Sequence, residues 1–240
     1  MTSHGKPQGF SLISLLVGLV VSMIVILGSM ALFNSTLQSN TRASQDARIT
    51  GERATGLLVA HMELQGAGFG IPSAQPENHL RLISGAALTA NQGSNTAKVS
   101  GGANQTIGTN GTYTGNALIW SQEVNGQNTC TGLFAPSKAS IDASSEMLPP
   151  SLYLLRSQNC SSTTEDLNWV PQALVAENPT LRNARAFSFI IRHEPCQGLG
   201  IAGEGYLEAT ISTRHSTGST QADNESVDLA TTTCLLNFPQ

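Results

Sequence analysis

Hydrophobic and polar positions divide the chain into a front where apolar residues are nearly continuous and a rear where they come in short alternating runs. From Phe10 to Thr41 no residue is charged, and Phe10 to Phe33 is long and apolar enough, as a helix, to cross a hydrocarbon core of roughly 30 Å. After Phe33 the apolar density falls, but no proline interrupts Gln38 to Gln65, so the helix is expected to continue. Charges now gather as Arg42, Asp46, Arg48, Glu52 and Arg53, while Leu37, Ala47, Ala54, Leu57, Leu58 and Met62 recur at roughly helical spacing. That thin stripe is expected to lie against a globular head and not against lipid. Gly66, Gly68 and Gly70 followed by Pro72 stop the helix. At the rise of an α-helix, Phe10 to Gln65 spans on the order of 80 Å.

Beyond Pro72 the period changes to that of β-strands separated by polar turns. Candidate strands are Ala117 to Gln122, Ser151 to Arg156, Arg185 to Arg192, Tyr206 to Thr213 and Thr231 to Phe238. Phe187, Phe189 and Ile191 alternate with Ser188, Ile190 and Arg192, which suits a sheet packed on a helix. The stretch Asn91 to Thr114, rich in Gly, Asn, Ser and Thr, reads as an exposed loop or ragged hairpin. The expected fold class is α+β: a long helix whose second half crosses an antiparallel sheet.

Composition narrows the class. Only 12% of the 240 residues are charged, and Gly, Ser, Thr and Asn fill long stretches of the rear, the profile of a loop-rich extracytoplasmic protein. Basic residues number 12 against 16 acidic, and the only lysines are Lys6, Lys98 and Lys138. No basic stripe could track a phosphate backbone, so direct nucleic-acid binding is not expected. The four cysteines, Cys130, Cys160, Cys196 and Cys234, are widely spaced and contain no CxxC pair. In an exported chain this favours two disulfides over a zinc site; three pairings are open, of which the sequential one, Cys130 with Cys160 and Cys196 with Cys234, is the working expectation. The second of these would staple the C-terminal tail to the head.

The apolar front segment admits three readings. A cleaved secretory signal could end at Ser29-Met30-Ala31, but its apolar region would be about 20 residues, longer than the usual ~7–15. A plain signal anchor would hold Lys6 and the amino terminus in the cytoplasm. The third rests on the junction itself, Lys6-Pro-Gln-Gly9 followed by Phe10-Ser-Leu-Ile-Ser-Leu-Leu-Val-Gly-Leu19. This resembles the leader of type IV pilins and type II secretion pseudopilins, where a short basic leader ends in Gly, cleavage precedes Phe, and the new amino terminus is N-methylated. The resemblance implies cleavage between Gly9 and Phe10, loss of Lys6, and a mature formal charge of 11 − 16 = −5. His61-Met-Glu-Leu-Gln-Gly-Ala-Gly-Phe-Gly70 is similar to the close of this helix in minor pilins of the PilW type, as are Leu174 to Ile191 and Tyr206 to Arg214.

One residue departs from the family. Its members usually carry Glu at the fifth mature position, where a buried carboxylate pairs with a neighbour's amino terminus; here that position is Ser14. Tip-located minor pseudopilins share this lack, so the departure implies a minor, initiating subunit.

The resemblance implies a leader (1–9), a transmembrane helix half (10–33), a periplasmic helix half (34–66) and a β-rich head (67–240). It implies an inner-membrane, single-pass protein with a periplasmic head that passes to the pilus tip. The partners it implies are prepilin peptidase, other minor pilins and the major pilin. A type II secretion pseudopilin and a membrane-anchored adhesin are the rival readings.

Other motifs are set aside. Gly198-Leu-Gly200-Ile-Ala-Gly203 has GxGxxG spacing but runs into a strand with no helix to receive it. His193 with Cys196 could open a zinc site only if the thiol were free, and Asp223, Asn224, Glu225 and Asp228 match no EF-hand loop. His61, His79, His193 and His215 are scattered and no Gly-x-Ser-x-Gly elbow is present, so no enzyme, cofactor or metal is expected.

Overall fold

The computed structural model describes residues 12–108, 111–136, 152–157, 160, 167–176, 187–194, 196, 207–214 and 228–238. The chain is α+β. One helix, α1 (Leu12–Gln65), runs for 54 residues without a break. The chain divides into two compact units, Met1–Arg48 and Ile49–Gln240, so α1 contributes its front to the first and its last turns to the second.

In the second unit a short helix, α2 (Pro76–His79), precedes the strands β1 (Leu80–Ser84), β2 (Ala87–Ala90), β3 (Ala97–Ser100), β4 (Ala103–Gln105), β5 (Thr112–Gly115), β6 (Ala117–Val124) and β7 (Gln127–Phe134). Then come β8 (Leu152–Ser157), β9 (Val170–Val175), β10 (Ser188–His193), β11 (Leu207–Arg214) and β12 (Asp228–Leu235). They form a six-stranded sheet in the order β4-β1-β6-β7-β8-β9, a four-stranded sheet in the order β12-β11-β10-β5, and the two-stranded ribbon β2-β3, with all pairings antiparallel.

Two apolar cores share the six-stranded sheet. The larger joins Leu57, Ala60 and Leu64 of α1 to Leu118, Trp120 and Leu154 on one face, and to Phe189, Ile191, Leu207 and Ile211 of the four-stranded sheet. The smaller, on the opposite face, holds Ile119, Phe134 and Leu155 under Val99 of β3 and Trp169. Trp169 is tied to the ribbon by paired backbone hydrogen bonds with Ala97, both 2.8 Å. Strand β6 lies between the two cores, which is why Ala117 to Trp120 reads as an unbroken apolar run and not as an alternation.

Three sequence expectations are corrected. Asn91 to Thr114 is not a loop or a single ragged hairpin. It holds β3, β4 and most of β5, each in a different pairing, because small polar residues still supply a full backbone ladder to adjacent strands. The expected helix stripe is also out of phase. Of Leu37, Ala47, Ala54, Leu57, Leu58 and Met62 only Leu57 is buried, with Leu58 and Met62 58% and 62% exposed. The buried face is Ile49, Arg53, Leu57, Ala60 and Leu64. Its spacing of four, four, three and four is helical, but it includes an arginine, so a search for apolar residues alone skips it. The strand expected at Thr231 to Phe238 begins earlier, at Asp228, and ends at Leu235.

Candidate functional site

The first unit holds the chain's apolar front. From Leu12 to Phe33 the large apolar side chains of α1 are all exposed, and the helix is long and apolar enough to cross a membrane. Its hydroxyls do not disturb that surface. Ser22, Ser29, Thr36 and Thr41 each donate to the carbonyl four residues earlier, of Gly18, Val25, Leu32 and Leu37, at 2.8 to 2.9 Å. In a medium without water, such internal bonds remove the cost of carrying a polar side chain. Ser14 is exposed near the start of the helix and presents a neutral hydroxyl there. Gly9 and Phe10 lie outside the described residues.

In the second unit the helix is seated on the head by close approach and polar contacts. Gly56 faces β9 so closely that a Cβ there would overlap Val175 Cγ2 and stand 3.3 Å from the Leu174 carbonyl. Glu63 pairs with Arg156 of β8, and His61 Nδ1 meets the Thr233 hydroxyl of β12 at 2.6 Å. Arg53 is only 4% exposed and has a partner of its own.

Beyond Gln65 the chain turns away at once. Gly68 and Gly70 have φ of +75° and +77°, the left-handed region that glycine adopts without strain. Gly68 N–H donates to the Ser121 carbonyl at 2.9 Å, and Glu123 N–H to the Phe69 carbonyl at 2.8 Å. The segment after the helix is thereby laid along β6.

Cys130 of β7 is bonded to Cys160 and Cys196 to Cys234 of β12, with Cα separations of 5.2 and 5.9 Å. The second bond engages Cys196 Sγ, which takes it out of any zinc site with His193. Among the described residues no group of three or more His, Cys, Asp or Glu side chains could hold a metal ion. Asp223, Asn224 and Glu225, the Gly198-to-Gly203 motif and His215 lie outside the described residues, while His61 is engaged with Thr233 and Gln65 and His79 with the backbone of Gln75. Sequence pattern picks out neither Gly56 nor Arg53 as a contact with the head. A glycine spaced seven residues before Glu63 on a long helix was the available signal for a close approach.

What the arrangement can do is mechanical: an apolar, uncharged helix surface is continuous in the chain with a helix end anchored in a disulfide-bonded β head. No family model, no curated protein and no solved structure matches the chain.

Proposed function

We propose that the chain is a minor type IV pilin of the PilW type, an inner-membrane subunit with a periplasmic head that primes a pilus or sits at its tip beside other minor pilins. One observation carries the reading. Directly behind Gly9-Phe10 stands a single helix that is uncharged to Thr41 and then supplies Leu57, Ala60 and Leu64 to the head core. A cut on the cytoplasmic face before Phe10 leaves such a helix attached to the mature protein. In the reverse case, a cut after Ala31 would leave the apolar half behind.

The mechanism is assembly. The apolar half is soluble only in lipid or against other helices, so subunits leaving the bilayer must pack those surfaces together. Ser14 offers no carboxylate to a neighbour's amino terminus, and a subunit with nothing above it does not need one. The head, held to the same helix, then meets its neighbours outside the membrane.

The test is mass spectrometry of the amino terminus of the protein taken from membranes of its own cell. The expected terminus is N-methylated Phe10. A chain beginning at Met1, or after Ala31, overturns the reading.

A further inference from the structure

Strands β6 and β7 are joined by two residues, Asn125 and Gly126, with Val124 paired to Gln127 across the turn. Both hold φ in the left-handed region, +54° at Asn125 and +75° at Gly126, as the mirror-image turn of a tight hairpin demands. Asparagine is among the few residues besides glycine that accept such a φ. The turn stands clear of the head. Every residue from Val124 to Asn128 is exposed, and a Cβ built on Gly126 would meet nothing within 4 Å. The ladder closes on Val124 and Gln127, which leaves the Gly126 N–H outside it. Among the described residues no other asparagine is followed by glycine.

The residue types that make this turn also carry a reaction. A bond from the Gly126 backbone nitrogen to Asn125 Cγ closes a five-membered ring, and with no Cβ at position 126 nothing crowds the approach. We propose that Asn125-Gly126 is a site of spontaneous covalent modification, at which the asparagine amide is lost in water without an enzyme. The Gly126 nitrogen attacks Cγ, the Cγ–Nδ2 bond breaks, and ammonia leaves with the proton that the Gly126 nitrogen gives up. Water then opens the cyclic imide at one of its two carbonyls. Opening at one gives aspartate in the ordinary backbone; opening at the other gives isoaspartate, whose main chain runs through Cβ. The sum is one water taken up and one ammonia released, with no change of oxidation state.

The attack needs Asn125 to rotate away from its turn conformation, and the outermost rung is backed by nothing, so its opening costs little. Deeper in the hairpin, Ser121 faces Cys130, which is 3% exposed and bonded to Cys160. The tip can therefore open while the root stays closed. Either product places a new carboxylate two residues from Glu123. Only isoaspartate also adds a main-chain atom to a loop whose length sets the β6-β7 register.

The site is tested by incubating the full chain in detergent, disulfides intact, at neutral and at mildly alkaline pH, then mapping peptides by mass spectrometry. The Asn125 amide is lost, faster at the higher pH because the attacking nitrogen must shed its proton. The product is a mixture of aspartate and isoaspartate, the latter scored by isoaspartyl methyltransferase labelling. An amide kept at Asn125 in the folded chain, over a time in which the reduced and unfolded chain loses it, overturns the proposal. So does a product that is aspartate alone, which marks direct hydrolysis. Asn125→Asp carries the charge without the extra atom. The Gln127 amide hydrogen exchanges faster in the isoaspartate form than in that variant, and equal exchange overturns the effect on the turn. An amino terminus other than Phe10 leaves each of these readouts untouched, so the assembly reading and this one fail separately.

Discussion

Two glycines five residues apart on α1 should respond with opposite sign to the same substitution. Neither Gly51 nor Gly56 has a positive φ, so each can accept alanine without backbone strain. Alanine is a better helix former than glycine by about 1 kcal/mol at an interior position. At Gly51 a new Cβ meets nothing within 4 Å, so Gly51→Ala should stabilise the head by that amount. At Gly56 the same gain is set against overlap with Val175 Cγ2 and a 3.3 Å contact with the Leu174 carbonyl. Val175 is 2% exposed and β-branched, so it has little room and few rotamers with which to yield. Overpacking of this kind costs about 1–3 kcal/mol, which leaves Gly56→Ala between neutral and about 2 kcal/mol destabilising.

The assay is thermal unfolding of the full chain in detergent with disulfides intact, followed by the fluorescence of Trp120 and Trp169, both wholly buried. For a unit of this size about 1 kcal/mol moves Tm by roughly 2–4 °C. The substitutions should therefore separate clearly. In a Val175→Ala background the penalty at Gly56 should vanish, giving a coupling of about 1–3 kcal/mol between the two sites. If Gly56→Ala raises Tm as much as Gly51→Ala in the native background, α1 is not seated on β9 and does not complete the head core in the way its buried face requires.

The disulfides and Ser14 give two further expectations. Peptide mapping without reductant should recover only Cys130 with Cys160 and Cys196 with Cys234; their sequence separations of 30 and 38 predict a loss of about 4 kcal/mol for replacing either pair by serine, read from urea unfolding. Ser14→Glu places a carboxylate in the apolar helix at a cost of about 3 kcal/mol in a bilayer, recoverable where a neighbour's amino terminus is within reach. On the proposed minor-pilin reading the variant should be incorporated within filaments more often than the native chain, measured by quantitative blotting of sheared pili against the cell-bound pool. An unchanged ratio counts against a special role for Ser14.

The long helix was legible in the sequence because an uncharged apolar run and the Gly66-Gly68-Gly70-Pro72 stop are strong local signals. Of the four-stranded sheet β10, β11 and β12 were legible, through the alternation of Phe187, Phe189 and Ile191 and the two runs that follow it, while β5 fell in the stretch read as a loop. Of the six-stranded sheet only β6 and β8 were legible. Strand β1 carries no clean alternation, and β9 contains Pro171, which argues against a strand unless it lies at an edge; β7 is announced by Asn125-Gly126, whose φ of +54° and +75° make the two-residue turn from β6, a signal that a search for apolar runs passes over. Ser121, Glu123, Asn128 and Cys130 become neighbours through the β6-β7 register, which the two-residue Asn125-Gly126 turn sets by pairing Val124 with Gln127.

The placement of α1 also links the two sheets near their outer strands. The larger sheet ends at β9 and the smaller at β12, and each outer strand would present a row of unpaired backbone groups to any passing chain. Proline at 171 blunts the first edge, while β12 has no lysine, no proline and an unbroken register with β11. The last turns of α1 reach both sheets, through Gly56 against Val175 of β9, Glu63 against Arg156 of β8, and His61 against Thr233 of β12. Asn237, just after β12, donates to the Ala67 carbonyl at 2.9 Å and fixes the tail to the end of the same helix. The helix that carries the apolar front is thus also the element bridging the sides of the head on which β9 and β12 end. A chain lacking residues 49–65 would lose Leu57, Ala60 and Leu64 from the core together with these contacts. The head's solubility and the helix's hold on it are therefore one physical requirement, which explains why small residues and a glycine, and not only large apolar ones, occupy the buried face of α1.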